Sequence, residues 1–152
     1  MGNMRQFTVL NSREAKKILA LIKIQWDADF KTEHSFLLNK QDLYLITREI
    51  AGLDFEKLRI NSPGLYFGEI KNDSIRLSIE GSQLVGKLAS KNIIDLDDEE
   101  ANQWLSGATL DKQSGCRGYV LIRHNDDFMG TGCAKDGKIL NFVPKGRRIS
   151  GW

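Results

Sequence analysis

A chain of 152 residues can bury one ordinary core or two small ones sharing an interface, so two lobes are expected and two large independent domains are excluded. The 22 Lys and Arg against 20 Asp and Glu leave a formal net charge of only +2, which excludes the bulk basicity of a histone-like protein; any nucleic-acid surface must arise from segregated charge. Two cysteines, no apolar leader and no run near the roughly 18–20 apolar residues that cross a bilayer predict a cytoplasmic protein without a disulfide framework or membrane contact.

Asn11-Ser-Arg-Glu14 has the form of a capping box, and Ala15, Ile18, Leu19, Ile22 and Trp26 then recur at helical spacing, with Lys16, Lys17 and Lys23 on the other face. Phe36-Leu-Leu38 and Leu43-Tyr-Leu-Ile46 flank a polar turn and predict a hairpin. A short helix broken at Gly52 is expected over 49–58. A second hairpin follows from Leu65–Ile70 and Ile75–Ile79 around Lys71-Asn-Asp-Ser74, with Ile75, Leu77 and Ile79 alternating on the buried face.

Beyond Lys91 the character changes. Residues 92–96 read as a strand, and Asp97-Asp-Glu-Glu100 places carboxylates in the first turn of a helix that runs through Ala101, Trp104 and Leu105 and stops at Gly107. After a loop over 108–114 come strands at 119–122, 128–134 and 139–143, joined by turns at 124–127 and at Lys135-Asp-Gly137. Short strands at this spacing predict a small barrel. The charges from Lys135 onward are Lys135, Lys138, Lys145, Arg147 and Arg148 against Asp136 alone, opposite in sign to the acidic block at 95–100. Pro144 and Gly146 present the last three cations on a constrained backbone, the kind of surface that favours phosphates.

Other residues take plainer readings. His34 and His124 lack a second histidine or a carboxylate at ligand spacing, so no metal site is expected, and no nucleophile and base converge on a catalytic set. Gly130-Thr-Gly132 lacks the rest of a phosphate loop and reads as a strand bend. Cys116 and Cys133 are expected as small buried residues; Trp26, Trp104 and Tyr119 as core; Tyr66 or Phe67 as exposed aromatics.

The segments Leu-Ser-Gly107-Ala-Thr-Leu110, Gly-Tyr-Val-Leu-Ile122, Met-Gly-Thr-Gly132 and Phe-Val-Pro-Lys-Gly-Arg-Arg-Ile149 together resemble a PUA domain, most nearly the C-terminal PUA-like domain of the NOL/NOP/Sun RNA 5-methylcytosine methyltransferases. With Leu43–Ile50 and Pro63–Ile70 ahead of it, the chain also resembles the nucleolar and archaeal ribosome-biogenesis PUA proteins, in which a small α/β lobe precedes the PUA domain. These resemblances imply an α+β chain: an N-terminal α+β lobe over 1–88 and a PUA-like, RNA-binding β-barrel over 89–152.

By position, the implied RNA surface comprises Gly107, Ala108, Thr109, Leu110, Lys112, Arg117, Lys145, Arg147 and Arg148, on the helix, the loop after it and the adjacent first and last barrel strands. Arg117 can equally pair with Asp111 or Glu100. The methyltransferases also carry a glycine-rich S-adenosylmethionine loop and a reactive cysteine beside proline; neither occurs here, so no methyltransferase activity is carried over and no cofactor is expected. The expected function is non-catalytic binding of structured ribosomal or transfer RNA in RNA modification or ribosome biogenesis. The alternative is an adaptor whose N-terminal lobe docks a separate RNA-modifying enzyme or ribosome-assembly factor.

Overall fold

The computed structural model describes residues 7–47, 51 and 64–149. The helix expected over 49–58 lies outside these residues except at Ala51. Helix α1 (Ser12–Trp26) starts at the anticipated capping box: Asn11 Oδ1 accepts from the Glu14 amide at 2.8 Å and Glu14 Oε1 accepts from the Asn11 amide at 3.1 Å. Its apolar stripe buries Ile18, Ile22 and Trp26 on a five-stranded antiparallel sheet ordered β1 (Thr8–Val9), β2 (Ser35–Asn39), β3 (Asp42–Ile46), β4 (Leu65–Lys71) and β5 (Ser74–Leu77). The edge strand β5 does not end in open solvent throughout. Gln25 closes part of it with a two-way bond, Nε2 donating to the Ile75 carbonyl at 2.9 Å and Oε1 accepting from the Ile75 amide at 2.7 Å.

The strand predicted through Ile79 is shorter in the structure: β5 stops at Leu77, and Ile79 opens a helix, α2 (Ile79–Gly86). Ser78 turns the chain, its hydroxyl accepting from the Gly81 amide at 2.9 Å as an N-cap. Two glycines in eight residues give α2 little intrinsic helix propensity, which is why it escaped the periodicity reading. Packing explains them. At Gly86 an added Cβ would lie 2.5 Å from the Phe128 ring, so the helix can approach the second lobe this closely only without a side chain.

The second sheet is mixed, ordered β6 (Ile93–Asp95), β8 (Gly118–His124), β9 (Asp127–Lys135), β10 (Lys138–Leu140) and β7 (Leu110–Asp111), and curls as a half-barrel over α3 (Asp98–Leu105). Only β6–β8 is parallel. The first strand β6 and the last strand β10 are separated by β8 and β9, so they are not sheet neighbours as the barrel reading expected. The loop expected over 108–114 contains β7, and the last strand ends at Leu140 because Asn141 turns away to donate to the Trp104 and Ala108 carbonyls, each at 2.8 Å.

Alternation along β8 and β9 divides their side chains between two cores. Leu121 and Phe128 join the N-terminal cluster with Trp26, Phe67 and Val85, whereas Val120, Ile122 and Met129 join Trp104, Ile139 and Val143. The connection between lobes is tied to the end of α1: the Trp26 carbonyl accepts from the Ser90 amide at 2.9 Å, and Asn92 Nδ2 donates to the Gln25 carbonyl at 2.6 Å. Trp26 and Trp104 are fully buried as expected and Tyr119 packs on the first core, but Phe67 is also fully buried; of the pair with Tyr66, only Tyr66 reaches solvent. Cys116 and Cys133 are free and half-buried instead of buried.

Replacing Gly86 by Ala should force Phe128 out of its place between the two lobes and lower stability by about 2 kcal/mol. Urea unfolding of this variant beside wild type, followed through tryptophan fluorescence, measures the loss.

Candidate nucleic-acid interface

Helix α3 begins and ends on strong local signals. Asp97 and Glu100 form a reciprocal capping box, at 2.8 and 3.0 Å, so the acidic run is accounted for by the helix N-terminus. At the other end Gly107 takes φ +97°; its amide donates to the Trp104 carbonyl at 3.0 Å and the Ala108 amide to the Gln103 carbonyl at 3.0 Å, a Schellman ending. The C-terminal segment folds back on this helix end. The Ile149 amide donates to the Leu105 carbonyl at 3.0 Å, and Arg148 crosses Gly107 so closely that a Cβ there would meet its Nε at 2.5 Å. Arg148 Nε donates to the Val143 carbonyl at 2.9 Å, so part of this guanidinium holds the tail in place.

The nine residues expected at the RNA surface do not form one patch. Leu110 is buried in the C-terminal core and pairs with Ile139, which removes it from any surface. Lys145 and Arg147 lie on a single 3-10 turn (Lys145–Arg147), not on a strand; Lys145 is exposed, and Arg147 pairs with Glu80 at 2.5 Å across the lobes. Lys112 and Arg117 lie elsewhere, in a hollow of about 260 Å³. Arg117 pairs with neither Asp111 nor Glu100, and forms no ion pair among the described residues; Glu100 is taken by Lys112 at 2.8 Å.

That hollow brings together four cations, Lys112, Arg117, Lys135 and Lys138, with Asp136 as the carboxylate on its wall. Lys138 also stands 3.8 Å from the exposed Asp111. The Asp136-Gly137 turn, with φ +53° and +75°, has the two left-handed residues of a type I′ hairpin and closes one side. Lys135 and Lys138 flank this turn as directly paired strand ends, and the β7–β10 pairing carries Lys112 to them. The sequence pattern marked Lys135 and Lys138 as part of a basic end but not as part of the site, because the pairing of β7 with β10 is not written in the local sequence.

A larger cleft of about 410 Å³ runs between the lobes, lined on one side by β4, β5 and the start of α2 and on the other by Met129, Thr131, Phe142, Pro144 and Arg147. Arg76 lies 4.3 Å above the Phe142 ring and binds Glu69 at 2.7 Å. Burial, with Asp42 next to its hydroxyl, pushes the Tyr66 phenol above its ordinary range, so it stays protonated and donates to Asp42 at 3.2 Å. The Gly130-Thr-Gly132 bend lies inside β9, as expected, and is held from both sides: the Trp104 indole donates to the Met129 carbonyl at 2.8 Å and the Gly130 amide to the Ser82 hydroxyl at 2.9 Å. Thr131 is 3 % exposed, and its hydroxyl has no hydrogen-bond partner among the described residues. His124 meets Asp98 at 2.7 Å, a carboxylate its sequence neighbourhood did not reveal, but no group of three potential metal ligands occurs among the described residues.

The half-barrel, the capped helix leading to Gly107 and the returning tail give the C-terminal lobe the form of a PUA-like domain, one that resembles the C-terminal domain of the 5-methylcytosine methyltransferases. Residues 91–149 match the model of the methyltransferase RsmF PUA domain. Among curated proteins, ribosomal RNA small subunit methyltransferase F of Vibrio vulnificus strain YJ016 and its counterpart in strain CMCP6 are each 19% identical over 139 residues, 91% of this chain. The chain spans about 29% of the length of these relatives.

The Lys112 ammonium, followed by the Asp97 amide, holds the Glu100 carboxyl below its ordinary 4.5. A lowered carboxylate pKa contributes stability that is complete above pH 4.5 and is lost as pH falls through the depressed value. Lys112→Met should therefore lower stability at neutral pH by about 0.5 kcal/mol, and the gap to wild type should close in acid. Urea midpoints taken from neutral pH downward test this.

Proposed function

We propose that this protein binds structured RNA, ribosomal or transfer, and serves RNA modification or ribosome biogenesis in the cytoplasm without itself catalysing a reaction. The observation that carries this reading is the gathering of Lys112, Arg117, Lys135 and Lys138 around one hollow of the PUA lobe, in a protein whose total charge is only +2. A preformed basic concavity on a rigid hairpin attracts the phosphate backbone and orders it without folding cost, while the low net charge limits indiscriminate binding. Relatives named as ribosomal RNA methyltransferases support RNA as the partner class, and in this reading a separate RNA-modifying enzyme or assembly factor accompanies the protein.

In this reading the contacts are to phosphate and ribose, and duplex RNA is distinguished from DNA by its shape and 2′-hydroxyls. Arg148 is a poor probe, because it also holds the tail on α3. Among the described residues the Arg117, Lys135 and Lys138 side chains have no comparable structural duty, apart from the long contact of Lys138 to Asp111.

Changing Arg117, Lys135 and Lys138 together to Ala should weaken binding to a ribosomal RNA stem-loop and to a transfer RNA, and reduce the log–log salt slope by about 2. Fluorescence anisotropy across a salt series, with duplex DNA of equal length as control, measures both. Unchanged affinity and slope would overturn this surface; equal weak binding of wild type to all three nucleic acids would overturn the RNA reading.

A further inference from the structure

The cleft between the lobes differs in kind from the basic hollow. Its charges cancel locally: Arg76 is paired with Glu69, and Arg147 with Glu80. What remains is a wall of Tyr66, Met129, Thr131, Phe142 and Pro144, and the Thr131 hydroxyl is buried without a hydrogen-bond partner among the described residues. A buried hydroxyl of this kind is costly unless something binds it, and its residue is among those that line the cleft.

Size and chemistry narrow the occupant. A volume of about 410 Å³ falls in the range of small-ligand sites and is far too small for a helix of nucleic acid. Aromatic and guanidinium faces favour a flat π-system, and the hydroxyl calls for a donor or acceptor on its edge. Local neutrality argues against a free polyanion. Arg147 at the rim, two residues from the exposed Lys145, continues the cleft onto a cationic surface along which a phosphate chain can enter and leave.

We propose that the cleft receives a single unpaired RNA nucleotide, its base stacked against the Tyr66 and Phe142 wall and hydrogen-bonded to Thr131, with Arg147 exchanging Glu80 for the nucleotide's phosphate. This rests on the RNA-binding reading and deepens it. The basic hollow supplies salt-dependent affinity for duplex RNA, and the cleft supplies a preference for RNA with an extruded base. The cost of unpairing is smallest where the base is already unstacked, so a bulge is the favoured target.

The test compares a blunt-ended RNA duplex with the same duplex carrying one unpaired adenosine, using the full chain, and adds adenosine monophosphate as competitor. Wild type should bind the bulged duplex tighter. Thr131→Val, which keeps the shape and removes the orphaned hydroxyl, should melt no lower than wild type yet lose about 3-fold to 10-fold of the bulge preference, leaving blunt-duplex affinity and salt slope unchanged. Phe142→Ala should lose about tenfold. With 4-thiouridine at the unpaired position, photocrosslinks should map to the segments bearing Tyr66 or Phe142, a readout that does not depend on any variant folding.

Equal wild-type affinity for both duplexes, or a bulge preference untouched in Thr131→Val with crosslinks elsewhere, would overturn the cleft while leaving RNA binding intact. Failure to bind either duplex would overturn the RNA reading and this inference together. Adenosine monophosphate that competes as well as the bulged duplex would overturn the assignment to RNA in favour of a free-nucleotide site.

Discussion

The β8–β9 hairpin is a shared wall between two hydrophobic cores, and most of the molecule follows from that constraint. Because successive side chains of a strand point to opposite faces, Leu121 and Phe128 can be claimed by the N-terminal cluster while Val120, Ile122 and Met129 are claimed by the C-terminal one. Neither lobe buries its apolar surface fully without the other. Helix α2 seals the seam from the N-terminal side, with Gly86 against Phe128 and the Ser82 hydroxyl holding the Gly130 amide. The cleft lies along this seam, lined by elements of both lobes.

Charge is partitioned by the same architecture. Four of the five cations from Lys135 onward divide among three tasks: Arg148 secures the tail to the end of α3, Arg147 bridges to Glu80 across the lobes, and Lys135 and Lys138 join Lys112 and Arg117 around the hollow. A low net charge is compatible with phosphate binding because the hollow concentrates positive groups where the acidic run does not reach, apart from Glu100, which engages Lys112. Three others of the acidic run serve local ends: Asp97 caps α3, Asp98 meets His124, and Asp95 clamps Arg123 at 2.6 Å beside the parallel β6–β8 pair.

Elements whose signals lie within a few residues were legible in advance. The α1 and α3 capping boxes, the Gly107 stop, the hairpin turns at 40–41 and 136–137 and the amphipathic stripe of α1 are all short-range features, and each appears where the pattern placed it. The misses have a common cause. Helix α2 was hidden because Ile79 continues the alternation of Ile75 and Leu77 while its glycines, required by close packing, lower its helix propensity. Strand β7 is too short to signal itself, and β10 ends early because Asn141 serves the end of α3, more than thirty residues away in sequence.

The sequence by itself determined the α+β composition, the resemblance to a PUA domain and the identity of the basic end, since capping, periodicity and charge are local or additive properties. Only the tertiary structure decided which cations share a surface, which arginine is spent on holding the tail, and that a half-neutral, aromatic cleft with an orphaned threonine lies between the lobes. Those outcomes depend on long-range pairing of strands and on the packing of two cores against one hairpin, and no local run of residues carries that information.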